Sequence, residues 1–302
     1  MSAHLSPEQG LLFDLSARAK LRISGADRLR FLNGQVTNDI RKAREDAALR
    51  ACVLNAKGKI DADVMIVAHG DSFLIDTEAD AREQLAARLE RYIIADDVQI
   101  EDVTDEFSLF HASGSAAPSL GGAVITAGAD RFGVGARDLW VARAEHEVAW
   151  QELSMQLPTC NADCAEVLRV ERGIPRWAHE LTNDIIPAEA NLEASAIDFA
   201  KGCYIGQEVI SRMKMSGQTN KRLCGLLPTG DAPVAAGMRL MSEGKDVGWV
   251  TSVARSARLG RMIALGFVKR GYQEPGTEFA VHAADGTAAA DTRVQIAVLP
   301  FV

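Results

Sequence analysis

The sequence predicts an α+β protein whose C-terminal part is a separate antiparallel β-domain. Three observations carry this reading. Apolar residues recur with period two in several runs of the first hundred residues. An amphipathic helix follows those runs. Past Gly217 the pattern changes to short strand-like segments broken by Gly and Pro. The boundary expected from that change divides the chain into residues 1–216, an α/β region, and 217–302, a β-domain.

From Ala17 to Ile23, Arg18, Lys20 and Arg22 alternate with Ala19, Leu21 and Ile23, the pattern of a half-buried strand. Ser24-Gly25-Ala26-Asp27 supplies a turn and a capping Asp for a short helix from Arg28, with Gly34 as its stop. Strands are expected at Leu49–Leu54, Ile60–Ala68 and Ser72–Asp76, the first two joined by the basic hairpin Ala56-Lys57-Gly58-Lys59. In residues 78–93, Leu85, Leu89 and Tyr92 share one helical face. The small residues of 113–129 read as a loop between strands near Phe107–Ala112 and Asp138–Ala142. Helices are expected at Glu145–Leu157 and at Asp163–Glu171, the second capped by Asp163 and stopped at Gly173-Ile174-Pro175. The β-domain segments are Lys221–Leu227, Arg239–Met241, Val247–Val253, Arg261–Val268, Glu278–His282 and Arg293–Leu299.

Composition narrows the function classes. With 302 residues, 47% hydrophobic and 25% charged, the chain is neither fibrous nor disordered. A net charge of −8 disfavours non-specific attraction to phosphate backbones or anionic lipid, so no direct nucleic-acid contact and no membrane contact is expected. Apolar runs such as Val64–Ala68 fall far short of the roughly 18 residues of a span. The first ten residues carry no export pattern, and five scattered cysteines, Cys52, Cys160, Cys164, Cys203 and Cys224, read as reduced thiols of a cytoplasmic protein. His69, His111, His146, His179 and His282 show no paired ligand spacing, so no metal site is expected.

The candidate site is the run Lys201-Gly202-Cys203-Tyr204-Ile205-Gly206-Gln207-Glu208. Two glycines frame a cysteine, and Gln207-Glu208 open a helix. A thiol beside Lys201 and a helix start has its thiolate favoured by positive charge and backbone N–H groups, the condition for a nucleophile or metal ligand. Free cysteine is also among the most often buried residues, so inert packing is the competing reading.

This octapeptide closely resembles the signature of the YgfZ-type folate-binding proteins, related to mitochondrial iron–sulfur assembly factors and, more distantly, to the glycine-cleavage T-protein aminomethyltransferases. Gly25-Ala26-Asp27, Gly34–Asp39, Asn55–Lys59, Arg169–Gly173 and Ile186–Leu192 resemble further segments of the family. The resemblance implies a clover-leaf fold: a discontinuous folate-binding α/β region, with about 50–110 as a ferredoxin-like part, and a C-terminal antiparallel β-barrel around a central folate hole. It implies tetrahydrofolate as cofactor and iron–sulfur enzymes or assembly proteins as partners. The role is then maintenance of iron–sulfur enzymes, indirectly supporting tRNA methylthiolation, with Cys203 as the functional thiol.

Whether the chain catalyses a reaction stays open. If it does, a folate-dependent aminomethyl or methyl transferase is the alternative, and a pure binding module is a third reading. The natural pairing sets Ala62, between Asp61 and Asp63, where the transferases have a catalytic Asp, which disfavours aminomethyl transfer. The transferases' Gly-Tyr-Thr-Gly-Glu-like stretch is missing, and Arg18 and Ala165 stand where some relatives have tryptophans. A reduced folate asks for a carboxylate or amide at its donor-rich edge and a cation for its tail. The candidates are Glu171, Glu189 and Gln35 for the edge and Arg169 and Lys57 for the tail. The competing reading of Arg169 and Glu171 is a solvated helix face, and of Lys57 and Lys59 an ordinary hairpin tip.

Overall fold

The computed structural model describes residues 7–114, 118, 120–229, 233–283 and 288–302. The first six residues and part of the expected 113–129 loop lie outside the described residues. Two compact units are present, Leu5–Asn161 with Leu192–Ser211, and Ala162–Asn191 with Arg212–Val302.

The first unit is layered around two sheets. Its strands are β1 (Leu12–Asp14), β2 (Ala19–Ser24), β3 (Leu49–Leu54), β4 (Ile60–His69), β5 (Ser72–Thr77), β6 (Gln99–Asp102), β7 (Phe107–Ser113), β8 (Ile125–Gly128) and β9 (Ala136–Ala142). The helices packed on these sheets are α1 (Arg28–Gln35), α2 (Arg82–Glu90) and α3 (His146–Gln156). One sheet runs β3-β4-β5-β2-β6 and the other β1-β7-β9-β8. Strand alternation sorts the apolar residues into three layers. Ala62, Val64, Ile66, Phe73 and Ile75 pack on Phe31, Leu32, Leu85 and Leu89 of α1 and α2. Val67 and Leu74, on the opposite face, meet Leu109, Ile125 and Trp140 of the second sheet. Phe110, Leu139 and Val141 then pack on Ala149 and Leu153 of α3.

Arg131 ties the sheets together, with Nη2 2.6 Å from both Asp76 on β5 and Asp138 on β9. Burial opposes these charges, but the guanidinium holds both carboxyls below the usual carboxylate range.

Several sequence expectations are corrected here. The 50–110 stretch is not a self-contained ferredoxin-like part, because β2 completes the first sheet and β7 belongs to the second. Gly34 does not stop α1, which continues to Gln35. Asp27 makes no cap bond to that helix; its carboxylate accepts from the amide of Asp97 at 2.9 Å. Within the expected loop, β8 forms by pairing with β9. Cys160 and Cys164 are disulfide-bonded rather than reduced, while Cys52, Cys203 and Cys224 are free.

In the second unit, α4 (Ala162–Glu171) takes Asp163 into its first turn rather than at its cap. The six strands β10 (Lys221–Thr229), β11 (Arg239–Ser242), β12 (Lys245–Ser256), β13 (Arg261–Lys269), β14 (Glu278–His282) and β15 (Ala288–Ala297) close into the antiparallel barrel β10-β13-β12-β11-β14-β15. Closure removes unpaired edges and gives each short segment two partners. Leu226, Leu240, Val250, Val268, Val281 and Val294 fill the interior. Among the described residues, no helix is long and apolar enough to cross a membrane, and no group of three or more His, Cys, Asp or Glu is placed to hold a metal.

Candidate functional site

The octapeptide lies in the first unit, between α5 (Glu193–Ala196) and α6 (Gln207–Ser216). Lys201 and Tyr204 are buried, whereas Gly202 and Cys203 between them are exposed. The Lys201 ammonium donates to the carbonyls of Asn33, at 2.6 Å, Val36, at 2.6 Å, and Asn38, at 2.8 Å. The last carbonyls of a helix lack intrahelical partners, and a cation there is favoured by the helix dipole. The ammonium also lies 5.0 Å from the centre of the Tyr204 ring. Burial pushes Lys201 down to about 8, against the pull of Asp39 and Asp198. The three donors of Lys201 are thus engaged by α1 and the loop after it. Burial likewise raises the Tyr204 hydroxyl to about 12.

The two framing glycines have different reasons. Gly206 has φ +85°, and a Cβ there would stand 2.7 Å from the carbonyl oxygen of Asn55. Gly58 in the hairpin has φ +73°, and its Cβ would meet Val209 at 2.8 Å. Both glycines let the turn leading into α6 press against the hairpin after β3. Gly202 meets nothing within 4 Å, so it leaves open space beside Cys203. Ile205 donates its amide to the carbonyl of Gly34 at 3.2 Å, and Gln207 to that of Tyr204 at 3.2 Å. Glu208 is exposed at the start of α6.

A polar cluster lies at the base of the hairpin. Arg88 of α2 donates to Gln35 Oε1 at 3.0 Å, to the carbonyl of Leu54 at 2.8 Å and to Asp61 Oδ2 at 3.2 Å. Its guanidinium also lies 4.2 Å from the centre of the Tyr92 ring. Burial lowers the Arg88 pKa from its usual value, opposed by Tyr92 and Asp61.

Asp61 reaches this cluster through a β-bulge. Val53 pairs with Ala62 and Leu54 with Ile60, so Asp61 is the extra residue of β4. Ala62, in the apolar layer under α1 and α2, is fully buried. Asp63 instead pairs with Arg50 at 2.7 Å. Gln35 is buried, and its Nε2 has no protein partner among the described residues. Lys57 is exposed at the hairpin tip, its amide donating to Asn55 Oδ1 at 2.9 Å.

Three expected folate contacts lie in the second unit. Arg169 and Glu171 are buried rather than on a solvated helix face. Arg169 donates from Nε to Glu166 Oε2 at 2.7 Å. Its Nη1 donates to the carbonyl of Ile174 at 3.2 Å and to Glu180 at 3.0 Å. Its Nη2 donates to Ser252 Oγ at 2.6 Å and to Glu166 Oε1. A guanidinium has five N–H groups, and all five are engaged. Glu171 Oε1 accepts from Ser256 Oγ, while its Oε2 has no partner among the described residues. Glu189 accepts from the amide of Ile186 at 3.1 Å and lies 3.6 Å from Lys221 Nζ.

Sequence reasoning missed Arg88 and the placement of Asp61. A signal for Arg88 exists: it sits with Leu85 and Leu89 on the apolar stripe of α2, where an arginine needs a buried partner.

Comparison with known proteins agrees with this architecture. Residues 5–134 match the GCVT N-terminal domain, and residues 221–302 match the glycine cleavage T-protein C-terminal barrel domain. The tRNA-modifying protein YgfZ of Escherichia coli O157:H7 is 31% identical over 259 residues, covering 78% of this chain and 75% of its own. An iron-sulfur cluster assembly factor IBA57 homolog, mitochondrial, from Chaetomium globosum is 27% identical over 82% of this chain and 66% of its own. An aminomethyltransferase of Streptomyces avermitilis is 26% identical over 88% and 80%. The crystal structure of glycine cleavage system aminomethyltransferase T from Bartonella henselae shares the fold, with a TM-score of 0.82 at 18% identity over 97% of this chain and 86% of that one. With the octapeptide, the closed six-stranded barrel and these matches in hand, the chain belongs to the YgfZ-type branch of the glycine-cleavage T-protein family.

Proposed function

We propose that this protein binds tetrahydrofolate and serves as a cytoplasmic accessory factor in iron–sulfur cluster assembly or repair, with Cys203 as its working thiol and tRNA modification as an indirect beneficiary. One observation carries the reading: between the buried Lys201 and Tyr204, the cysteine and the glycine before it are left exposed. An accessible thiolate is the form that exchanges with disulfides or ligates iron. The relatives, a tRNA-modifying protein and an iron–sulfur cluster assembly factor, support the same direction. The partners are iron–sulfur enzymes or their assembly proteins, and the cluster is cargo.

Two residues of the first unit, Gln35 and Lys57, fit a reduced folate, which would supply one-carbon carrying capacity when bound. The Nε2 of Gln35 suits a ring acceptor, while Glu171 keeps a spare Oε2 within the other unit. Lys57, exposed on the hairpin, is the cation for an anionic tail. Arg169 drops out of the tail role because no donor is left on it, and Glu189 is held by its own turn and Lys221.

The test joins calorimetric titration with tetrahydrofolate to assays of iron–sulfur enzymes in cells. Cys203→Ala is expected to bind folate as wild type does while those enzymes lose activity, and Lys57→Ala to weaken the titration. Full enzyme activity with Cys203→Ala removes the thiol from the reading, and no heat from wild type removes the folate. A one-carbon transferase is favoured by one feature, the bulge that brings Asp61 beside Arg88 and Gln35. Turnover of a methylamine donor with tetrahydrofolate, abolished by Asp61→Asn, would select it.

A further inference from the structure

We propose that Lys201 is a positioning residue for Cys203: bound to the carbonyls of Asn33, Val36 and Asn38, its ammonium pins one foot of the Gly202–Cys203 arch, while Tyr204 and Ile205 pin the other. The inference rests on the reading of Cys203 as the working thiol, but its geometry is independent of any partner.

The first foot is a saturated contact. An ammonium has three N–H donors, and three carbonyl oxygens within 2.8 Å take them. The second foot combines the buried Tyr204 ring, 5.0 Å from that same ammonium, with the Ile205 amide on Gly34. Both feet stand on the end of α1, so the two exposed residues between them have little freedom to wander. Asp39 and Asp198 face the ammonium with favourable charge, and Arg41 opposes it. Lysine suits the task because its compact head meets three converging acceptors, which a planar guanidinium fork does not. The N–H groups of the ammonium are turned to α1 and the loop after it, so whether its charge also acts on the sulfur is read from the pH profile of the thiol.

The experiment compares the full-length wild type with Lys201→Met and Lys201→Arg. Hydrogen exchange is read at the Ile205 amide, and iodoacetamide alkylation of Cys203 is followed from about pH 6.5 to 9.5. Lys201→Met is expected to lose about tenfold of the protection at Ile205 while the amides of β3 and β4 keep theirs. Lys201→Arg is expected to recover part of that loss, and the midpoint of the alkylation profile is expected to coincide in all three proteins. Unchanged protection at Ile205 overturns the proposal, and so does a shifted midpoint, the mark of direct charge action on the thiol. If Lys201→Met does not fold, Lys201→Arg decides: partial loss at Ile205 with normal melting supports the clamp, and wild-type protection overturns it. The thiol reading fails separately, if Cys203→Ala cells keep full iron–sulfur enzyme activity while the exchange effect at Ile205 stands.

Discussion

Two cations from the sequence motifs, Arg169 and Lys201, are both buried and both saturated, yet they serve opposite ends. Arg169 joins α4, Glu180 and β12 within the barrel unit, and its surroundings close over it. Lys201 is followed by Gly202 and Cys203, which return to solvent within two residues. One cluster is finished by its own hydrogen bonds, and the other uses them to hold up something that has none. The difference teaches that a conspicuous charged residue marks a ligand site only if donors or acceptors are left over after folding.

The largest test of this contrast is Arg169→Met. It leaves Glu180, fully buried beside Ser252, without its cation. Breaking a buried ion pair by removing one partner costs about 3–5 kcal/mol. Urea unfolding of the variant is expected to show that loss, and a loss under about 1 kcal/mol would mean that the network is not closed on itself.

Next comes Gly206→Ala. The positive φ strains any side chain, and the added Cβ meets backbone, the Asn55 oxygen, which has no flexible end to move. A destabilisation of about 1–3 kcal/mol is expected, against less than about 0.5 kcal/mol for Gly202→Ala, which enters open space. Equal effects at the two glycines would erase the distinction between the braced end of the motif and its open arch.

Much of the architecture was legible because it rests on periodicity. The alternation in Ala17–Ile23 and the Leu85/Leu89 stripe report directly on the layer that Leu21, Ile23, Leu85 and Leu89 share. The bulge at Asp61 was not legible, since an inserted residue breaks the alternation that makes a strand readable. The engagement of Arg169 was hidden for a different reason: Glu180 and Ser252 come from distant parts of the sequence, and only folding brings them to one guanidinium. For Lys201 the neighbouring cysteine gives no hint of the three carbonyls that engage its ammonium, because they come from residues far away in the sequence. The octapeptide itself was readable as a motif, while the division between its buried and exposed members was not.

A smaller effect separates the two cations by pH. An arginine does not titrate in the accessible range, whereas burial brings Lys201, and with it Lys20 in the same unit, down to about 8. In the unfolded chain these lysines hold their protons to about pH 10.4. Between the two values the unfolded state binds more protons, so stability rises with pH, by about 1–2 kcal/mol per lysine at pH 9.5. Thermal melts from pH 7.5 to 9.5 are expected to show the rise, reduced but not removed in Lys201→Met, where Lys20 remains. A flat profile would mean that the three carbonyls hold the Lys201 proton as firmly as water does.

The smallest expected effect is the sharpest check on the comparison. Cys203→Ser changes one atom at an exposed site, with open space at the neighbouring glycine. Surface substitutions away from caps, buried pairs and special backbone stay within about 0.5 kcal/mol. The variant should therefore unfold at the same urea concentration as wild type, with the Ile205 amide as well protected as before. A cost above about 1 kcal/mol would make Cys203 part of the scaffold that Lys201 and Tyr204 build. The thiol would then be a packing residue like Cys52, and the arch would present nothing.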